Sequence, residues 1–307
     1  MKNTMAHQPD LTVVIPTYNR LDTLRHVIPS LLRSSLRAER FEIVVADSNS
    51  NDGTAEYLAG VSAEDPRVRH LPGPYTGRAM ARNAGIAAAR APVVLFTDAD
   101  IIASPDLLER HLEHHLHDHN VAVVGMELQV GSLDEYERLR AHPDERRPLH
   151  PAGRKRLGWL YFLTGNASVR KSNLLRVGCF DENFTGYGHE DLELGYRLQK
   201  AGITIRYEPR AVDYHWHPVP YAEQKEKMKL AGRSTVRFYN KHRTFAVQAQ
   251  LGMTPLSLAL HSVVDKSPAL LRSLERAGSA SPGLARNIVY QYHYVTGIKD
   301  AIGAGRG

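Results

Sequence analysis

Residues 91–100 read APVVLFTDAD, an apolar run that ends in two aspartates one residue apart. A short, uninterrupted apolar stretch of this kind predicts a strand over Pro92–Phe96, covered on both faces as in a parallel sheet. In open α/β sheets, ligands bind in the crevice beyond the carboxyl ends of the strands, which is where TDAD falls. Two earlier runs end the same way. Leu11–Ile15 leads into PTYNR (16–20), and Phe41–Ala46 leads into DSNSNDGT (47–54). Helices are expected from about Leu21 to Leu36, from about Gly53, and from about Arg78 to Arg90, with a further strand near Val68–Leu71. The alternation predicts an α/β fold over Leu11–Asp100, with a mainly parallel sheet, helices on both faces, and three polar segments converging at one edge.

The composition suits a folded chain. Of 307 residues, 42% are hydrophobic and 23% charged, enough to bury a core. An excess of 39 Lys and Arg over 33 Asp and Glu suits an anionic partner, such as a nucleotide, a phospholipid face or a nucleic acid. The single cysteine, Cys179, excludes an intrachain disulfide framework and a Cys-based zinc site, and points to a reducing compartment, with the cytoplasm as the default. The opening MKNTMAHQPD has no apolar core, so no secretory signal is expected. Each apolar run is far short of the ~20 residues that span a bilayer.

The expected organisation is a flexible stretch over 1–10, an α/β domain over 11–218, and a helical subdomain over 219–307. Residues 131–158, which include HPDERRPLHPAGRKR, read as a mobile loop. A helix over about His189–Lys200 is expected to stop at Gly202, and the strand ITIRYE follows it. The histidines from His111 to His119 read as a solvated helix face. Tyr290, Tyr292 and Tyr294 read as core packing of a late helix, with a membrane-surface anchor as the other reading.

Several residues carry candidate chemistry. In Thr97-Asp98-Ala99-Asp100, two carboxylates at a strand end can share a divalent cation and a ligand hydroxyl; an Asx turn capping the next helix uses the same residues. Pro16, Thr17, Tyr18 and Arg20 offer an aromatic face for a base and hydrogen-bonding groups, or they simply cap a helix. Asp47 can accept from the imide N–H of a uracil ring or from a ribose hydroxyl, or sit in a capping turn with Asp52 and Gly53. Arg78 and Arg82, four apart on a helix, can meet a phosphate or be solvated.

These stretches, in this order and spacing, resemble family 2 glycosyltransferases of the GT-A fold, whose pattern runs through IPTYNR-like, DGSTDGT-like, ARNxGI and DxD elements. The segment TGNASVRKSNLLRVGCFDENFTGYGHEDLELGYRLQKAG resembles the acceptor-side module of polypeptide GalNAc-transferases and chondroitin polymerase, and HWH (215–217) is similar to the family's C-terminal metal-binding histidine. The resemblance covers about Leu11 to His217, with one departure: Ser48 stands where the family often has a second Asp.

The resemblance implies a metal-dependent transferase that moves a sugar from a nucleotide-sugar donor, with a UDP-sugar expected, to an acceptor hydroxyl. It places Asp98 at the ribose and Asp100 on Mn²⁺ or Mg²⁺, with His215 as a further metal ligand and His217 as its alternative. Gly165 and Asn166 line the sugar pocket, or form a simple turn. Asp191, beside Glu190, is the implied general base of an inverting displacement, with retention as the alternative because the acceptor-side motif also resembles retaining relatives; as first-turn carboxylates both also stabilise a helix N-terminus. A glycan, a lipid-linked group, a peptide and a small molecule stay open as acceptors, and peripheral contact with the inner face of a membrane is an expectation. A nucleotidyltransferase is the first rival, but it usually carries a Gly-rich loop where this chain has PTYNR. A non-enzymatic nucleotide or nucleic-acid binding protein is the second; the basic residues are scattered and no aromatic RNA motif occurs, so no nucleic-acid partner is expected.

Overall fold

The computed structural model describes residues 8–146, 155–217, 219–281 and 283–304. The chain divides into two compact units: one runs to Thr185 and resumes over Glu190–Pro218, and the other holds Gly186–His189 with Val219 onward.

In the first unit, strands β1 (Leu11–Thr17), β2 (Phe41–Asp47) and β4 (Val93–Phe96) are buried at every position, as expected for strands covered on both faces. With β3 (Val68–Pro72) they form the parallel half of the sheet, in the order β3-β2-β1-β4. Helices α1 (Leu21–Leu32), α2 (Thr54–Glu64) and α3 (Gly77–Ala88) make the crossovers. The sheet continues as β8 (Ala167–Arg170), β6 (Val121–Val130), β9 (Thr204–Trp216) and β5 (Ile101–Ala103), with β7 (Arg156–Leu157) paired to β9. In this second half, β4–β8, β8–β6 and β9–β5 are antiparallel while β6–β9 is parallel.

Three features depart from the sequence expectations. Part of 131–158 is regular: α5 (Leu133–Ala141) is capped by Ser132, whose hydroxyl accepts from the Glu135 N–H, and packs Tyr136 and Leu139 with Val130 and Tyr214. Residues 147–154 of that stretch lie outside the described residues. The strand expected to end at Glu208 runs on to Trp216, because Pro209 falls in a bulge where the β6–β9 register jumps from Gly125↔Glu208 to Met126↔Val212. The third is a correction: His111 and His115 on α4 (Leu107–His117) are fully buried, not solvated. Their spacing of four puts both on the inward face, where the Ser168 hydroxyl lies 2.8 Å from each ring. Burial pulls the two imidazoles down to about 4 and about 3, so both are neutral at physiological pH.

Helices α6 (Lys171–Arg176) and α7 (Glu190–Lys200) complete this unit. The second unit is helical: α8 (Tyr221–His242), α9 (Phe245–Gln250), α10 (Pro255–Asp265), α11 (Pro268–Ala280) and α12 (Leu284–Ala304). Its core joins Ala231, Val236, Met253, Tyr294, Val295 and Ile298. The Thr235 hydroxyl lies 2.8 Å from His189 Nε2 and 2.5 Å from the Tyr294 hydroxyl, which donates to the Leu251 carbonyl. Tyr290 packs its ring on Tyr221, and Tyr292 stacks on His261, so these tyrosines serve internal packing. Among the described residues no helix is long and apolar enough to cross a membrane.

Helices α8 and α12 cross where Gly232 faces the Tyr294 backbone and Gly297 faces the Lys229 carbonyl, too close for any side chain. Gly297→Ala is therefore expected to cost about 1–3 kcal/mol. Thermal unfolding checks this against Gly303→Ala, where a methyl would meet open space and stability should hold or rise slightly.

Candidate active site

The first unit gathers its polar residues at the carboxyl ends of β1, β2 and β4. Pro16 and Thr17 close β1 in register with Ala46 and Asp47. The two following turns are laced together. The Asn19 N–H donates to Ser50 Oγ, the Asn51 N–H donates to Asn19 Oδ1, and Ser50 donates to Asp47 Oδ1 at 2.5 Å. Asp47 is buried, with His70 Nε2 3.5 Å from its other oxygen. Among the described residues the buried Thr17 hydroxyl has no partner, whereas the Tyr18 ring is 58% exposed above this edge.

Arg82 is the hub. Only 2% exposed, it donates from Nη1 to Glu190 Oε1 at 2.9 Å and from Nη2 to Asp98 Oδ1 at 2.8 Å, with its guanidinium over the Phe180 ring. Burial alone would weaken its charge, but Asp98, Glu190 and Asp191 outweigh burial and raise its pKa. It thus binds α3, the turn after β4 and the first turn of α7 together. Both Nη groups are engaged with protein carboxylates, which the helical spacing of Arg78 and Arg82 does not reveal. Arg78 is exposed on the same helix.

Asp191 follows Glu190 and keeps part of its surface open. Burial first, and then the neighbouring Glu190 charge, push its carboxyl up to about 7, with Arg82 and the Leu192 N–H opposing. At neutral pH it therefore exchanges a proton readily, as a general base must.

On the other side of the acidic turn, Asp100 meets the end of β9. His215 Nε2 lies 3.4 Å from Asp100 Oδ1 and His217 Nδ1 lies 3.7 Å from Oδ2; the two rings are stacked. Glu127 and Gln129 on β6 reach His215 Nδ1 at 3.3 and 3.0 Å. Burial works against a charged His215, but hydrogen bonds to Asp100 and Glu127 hold it up at about 11. Asp100 is lowered in turn, burial notwithstanding, by His215, His217 and the charge of Arg20. Asp213, fully buried two residues earlier, has no hydrogen-bond partner of good geometry among the described residues; burial and Glu127 drive it well above the usual carboxylate range, with His215 and Asn166 opposing. Among the described residues no three His, Cys, Asp or Glu side chains already form a metal cage.

Gly165 and Asn166 lie behind this wall. A side chain at Gly165 would stand 2.6 Å from Glu127 Oε2. Asn166 is buried, its amide donating to the Ala211 carbonyl and its oxygen facing His111 Nε2 at 2.7 Å. Glu127 and Asp213 went unnoticed in the sequence; their only signal is a position two residues before Gln129 and His215, meaningful once β6 and β9 are known to pair.

Residues 12–178 match the family described as Glycosyl transferase family 2, and residues 151–217 match that described as the N-terminal domain of galactosyltransferase. A validoxylamine A glucosyltransferase of Streptomyces hygroscopicus subsp. jinggangensis is 34% identical over 238 residues, covering 67% of this chain and 55% of that protein. Chondroitin synthase of Escherichia coli is 27% identical, covering 87% of this chain and 44% of its own. The fold resembles the mannosyltransferase PcManGT of Pyrobaculum calidifontis, solved with GDP-Man and Mn²⁺, at a TM-score of 0.62, 18% identity, and 97% and 86% coverage. The fold is that of the GT-A glycosyltransferases. The chain belongs to glycosyl transferase family 2, and it spans about half the length of the curated relatives it matches.

Removing the hub cation leaves two carboxylates facing each other without compensation. Arg82→Met should cost about 3–5 kcal/mol by denaturant unfolding, with part recovered in Arg82→Met/Glu190→Gln. A cost under about 1 kcal/mol would mark the pair as no stronger than a surface salt bridge.

Proposed function

We propose that this glycosyltransferase moves a sugar from a uridine diphosphate donor to an acceptor hydroxyl with inversion at the anomeric carbon, and that Asp191 is its general base. The observation that carries the reading is Arg82, which ties Asp98 of the acidic turn to Glu190 beside Asp191. Donor-side and acceptor-side carboxylates thereby share one rigid frame.

In this reading the uracil ring stacks on exposed Tyr18 and donates its imide N–H to Asp47. Pro16, Thr17 and Arg20 complete the nucleoside edge, and Asp98 with Ala99 faces the ribose. Exposed Arg78 reaches the diphosphate; Arg82 acts by holding Asp98 in place. Gly165 leaves room for the sugar, and Asn166 fixes that wall from behind. The acceptor oxygen attacks C1 as the C1–phosphate oxygen bond breaks. The electron pair leaves with the nucleoside diphosphate, and the acceptor proton passes to the Asp191 carboxylate. Glu190, paired with Arg82, helps keep the Asp191 pKa high.

A divalent cation fits the residues present. Asp100 supplies hard oxygen and His215, with His217 as its alternative, supplies imidazole nitrogen, a set that suits Mn²⁺ better than Mg²⁺. When bound, such a cation supplies Lewis-acid stabilisation of the departing diphosphate. The lone cysteine, half-buried Cys179, supports a reducing, cytoplasmic setting.

Thermal shift with UDP, GDP, dTDP and CDP, each with Mn²⁺ or EDTA, tests the donor site. UDP with Mn²⁺ should stabilise by about 2.7 kcal/mol at a hundred times its dissociation constant, and Asp100→Ala should abolish the shift. Equal shifts with and without metal would remove the cation from the reading.

Asp191→Asn should slow transfer by about 10² to 10⁴-fold while nucleotide binding persists. Because the base form exists only above the Asp191 pKa, kcat/KM of the wild type should fall with decreasing pH below about 7. A profile flat down to pH about 5 would assign the base elsewhere.

A further inference from the structure

The solvent side of α10 is made of the wrong residues for water. Its exposed positions Pro255, Leu256, Ala259, Leu260 and Val263 fall on one face of the helix, with Leu256 69%, Leu260 60% and Val263 63% exposed. The remaining exposed residue, Asp265, lies on another side and accepts from the Tyr292 hydroxyl. Amphipathic helices of soluble domains turn this stripe toward the core; here His261 points inward, with Thr296 at 2.8 Å and Lys299 at 3.2 Å from its ring. Among the described residues, seven of the ten exposed large hydrophobics belong to this helical unit, adding Leu230, Phe245, Leu270 and Leu284.

Charge identifies the partner. Residues 219–307 hold 13 Lys and Arg against 5 Asp and Glu, whereas the first 218 residues hold 26 against 28, so the whole positive excess of the chain lies in this segment. Exposed Lys266 caps α10, and exposed Arg272 and Arg276 follow on α11. The apolar face carries small and branched aliphatic residues with no Trp, Tyr or Arg, the side chains that anchor protein interfaces. An aliphatic helix face with basic neighbours is what lies flat in the headgroup region of an anionic bilayer.

We propose that α10, with the basic residues that follow it, is a docking surface for a membrane containing anionic phospholipid. Leu256, Leu260 and Val263 enter the acyl boundary, while Lys266, Arg272 and Arg276 pair with phosphate headgroups. This surface belongs to the helical unit alone and does not depend on the donor-site reading.

Flotation of the full chain with phosphatidylcholine vesicles, with or without roughly a third phosphatidylglycerol, tests it. The wild type should float with the anionic vesicles only and lose much of that binding in about 0.5 M salt. Leu256→Glu/Leu260→Glu should lower partitioning at least about tenfold with an unchanged circular dichroism spectrum, since both side chains are solvent-exposed. Arg272→Glu/Arg276→Glu should weaken anionic binding independently. A wild type that stays in the soluble fraction overturns the proposal, as does a leucine variant that floats as well as the wild type. So does a concentration-dependent dimer, dissolved by the same leucine substitutions without any vesicle binding, which would make the face a contact between copies.

Discussion

The guanidinium of Arg82 is the constraint on which the polar edge of the sheet depends. A cation that is 2% exposed cannot stay charged without partners, and here it has two carboxylates at hydrogen-bond distance from segments far apart in sequence. Its desolvation is offset only if Asp98 and Glu190 are both in place. Folding α3 onto the sheet therefore also sets the turn after β4 and the first turn of α7. The same arrangement perturbs Asp191: Glu190 is spent on Arg82 through one oxygen, yet its charge still faces Asp191 and joins burial in raising it.

The opposite wall depends on a bulge. Pro209 cannot donate to a sheet ladder, so the pairing of β9 with β6 breaks there and resumes with a shifted register. The resumed pairing sets Asp213 against Glu127 and His215 against Gln129, while β5 sets His215 beside Ile101, next to Asp100. Two acids, Asp100 and Glu127, thus flank one imidazole. The Ala211 carbonyl, freed at the bulge, takes the amide of Asn166, and His111 and Ser168 continue the polar chain into the interior. Ser168 meets both rings and Asn166 meets His111, which makes neutral, buried His111 and His115 tolerable on the inward face of α4, with His115 Nδ1 left without a partner among the described residues.

Much of this was legible in the residues. Strands buried on both faces announce themselves as uninterrupted apolar runs, and the alternation over Leu11–Asp100 gave the parallel half of the sheet. What failed to show has local physical causes. Helix α5 is dominated by charge, so its few apolar contacts do not form a visible period. Pro209 looks like the end of a strand and is a bulge within one. The imidazoles of His111 and His115 look solvated because histidine is usually exposed in so charged a context; only the neighbouring Ser168 and Asn166, more than fifty residues away, make burial tolerable. Arg82 is the sharpest case. Its four-residue spacing from Arg78 suggests two similar arginines, but Arg78 stays exposed while Arg82 is buried between two carboxylates.

A donor bound at the acidic turn held by Arg82 is the central claim. Anomalous diffraction at the manganese edge, from crystals grown with Mn²⁺ and UDP, addresses this directly. The expected result is a manganese peak at Asp100 beside His215 or His217, with nucleotide density along Tyr18 and Asp47 and with Arg82 still joined to Asp98 and Glu190. Manganese bound away from Asp100, or an Arg82 side chain swung out of its carboxylate pair onto the diphosphate, would contradict it.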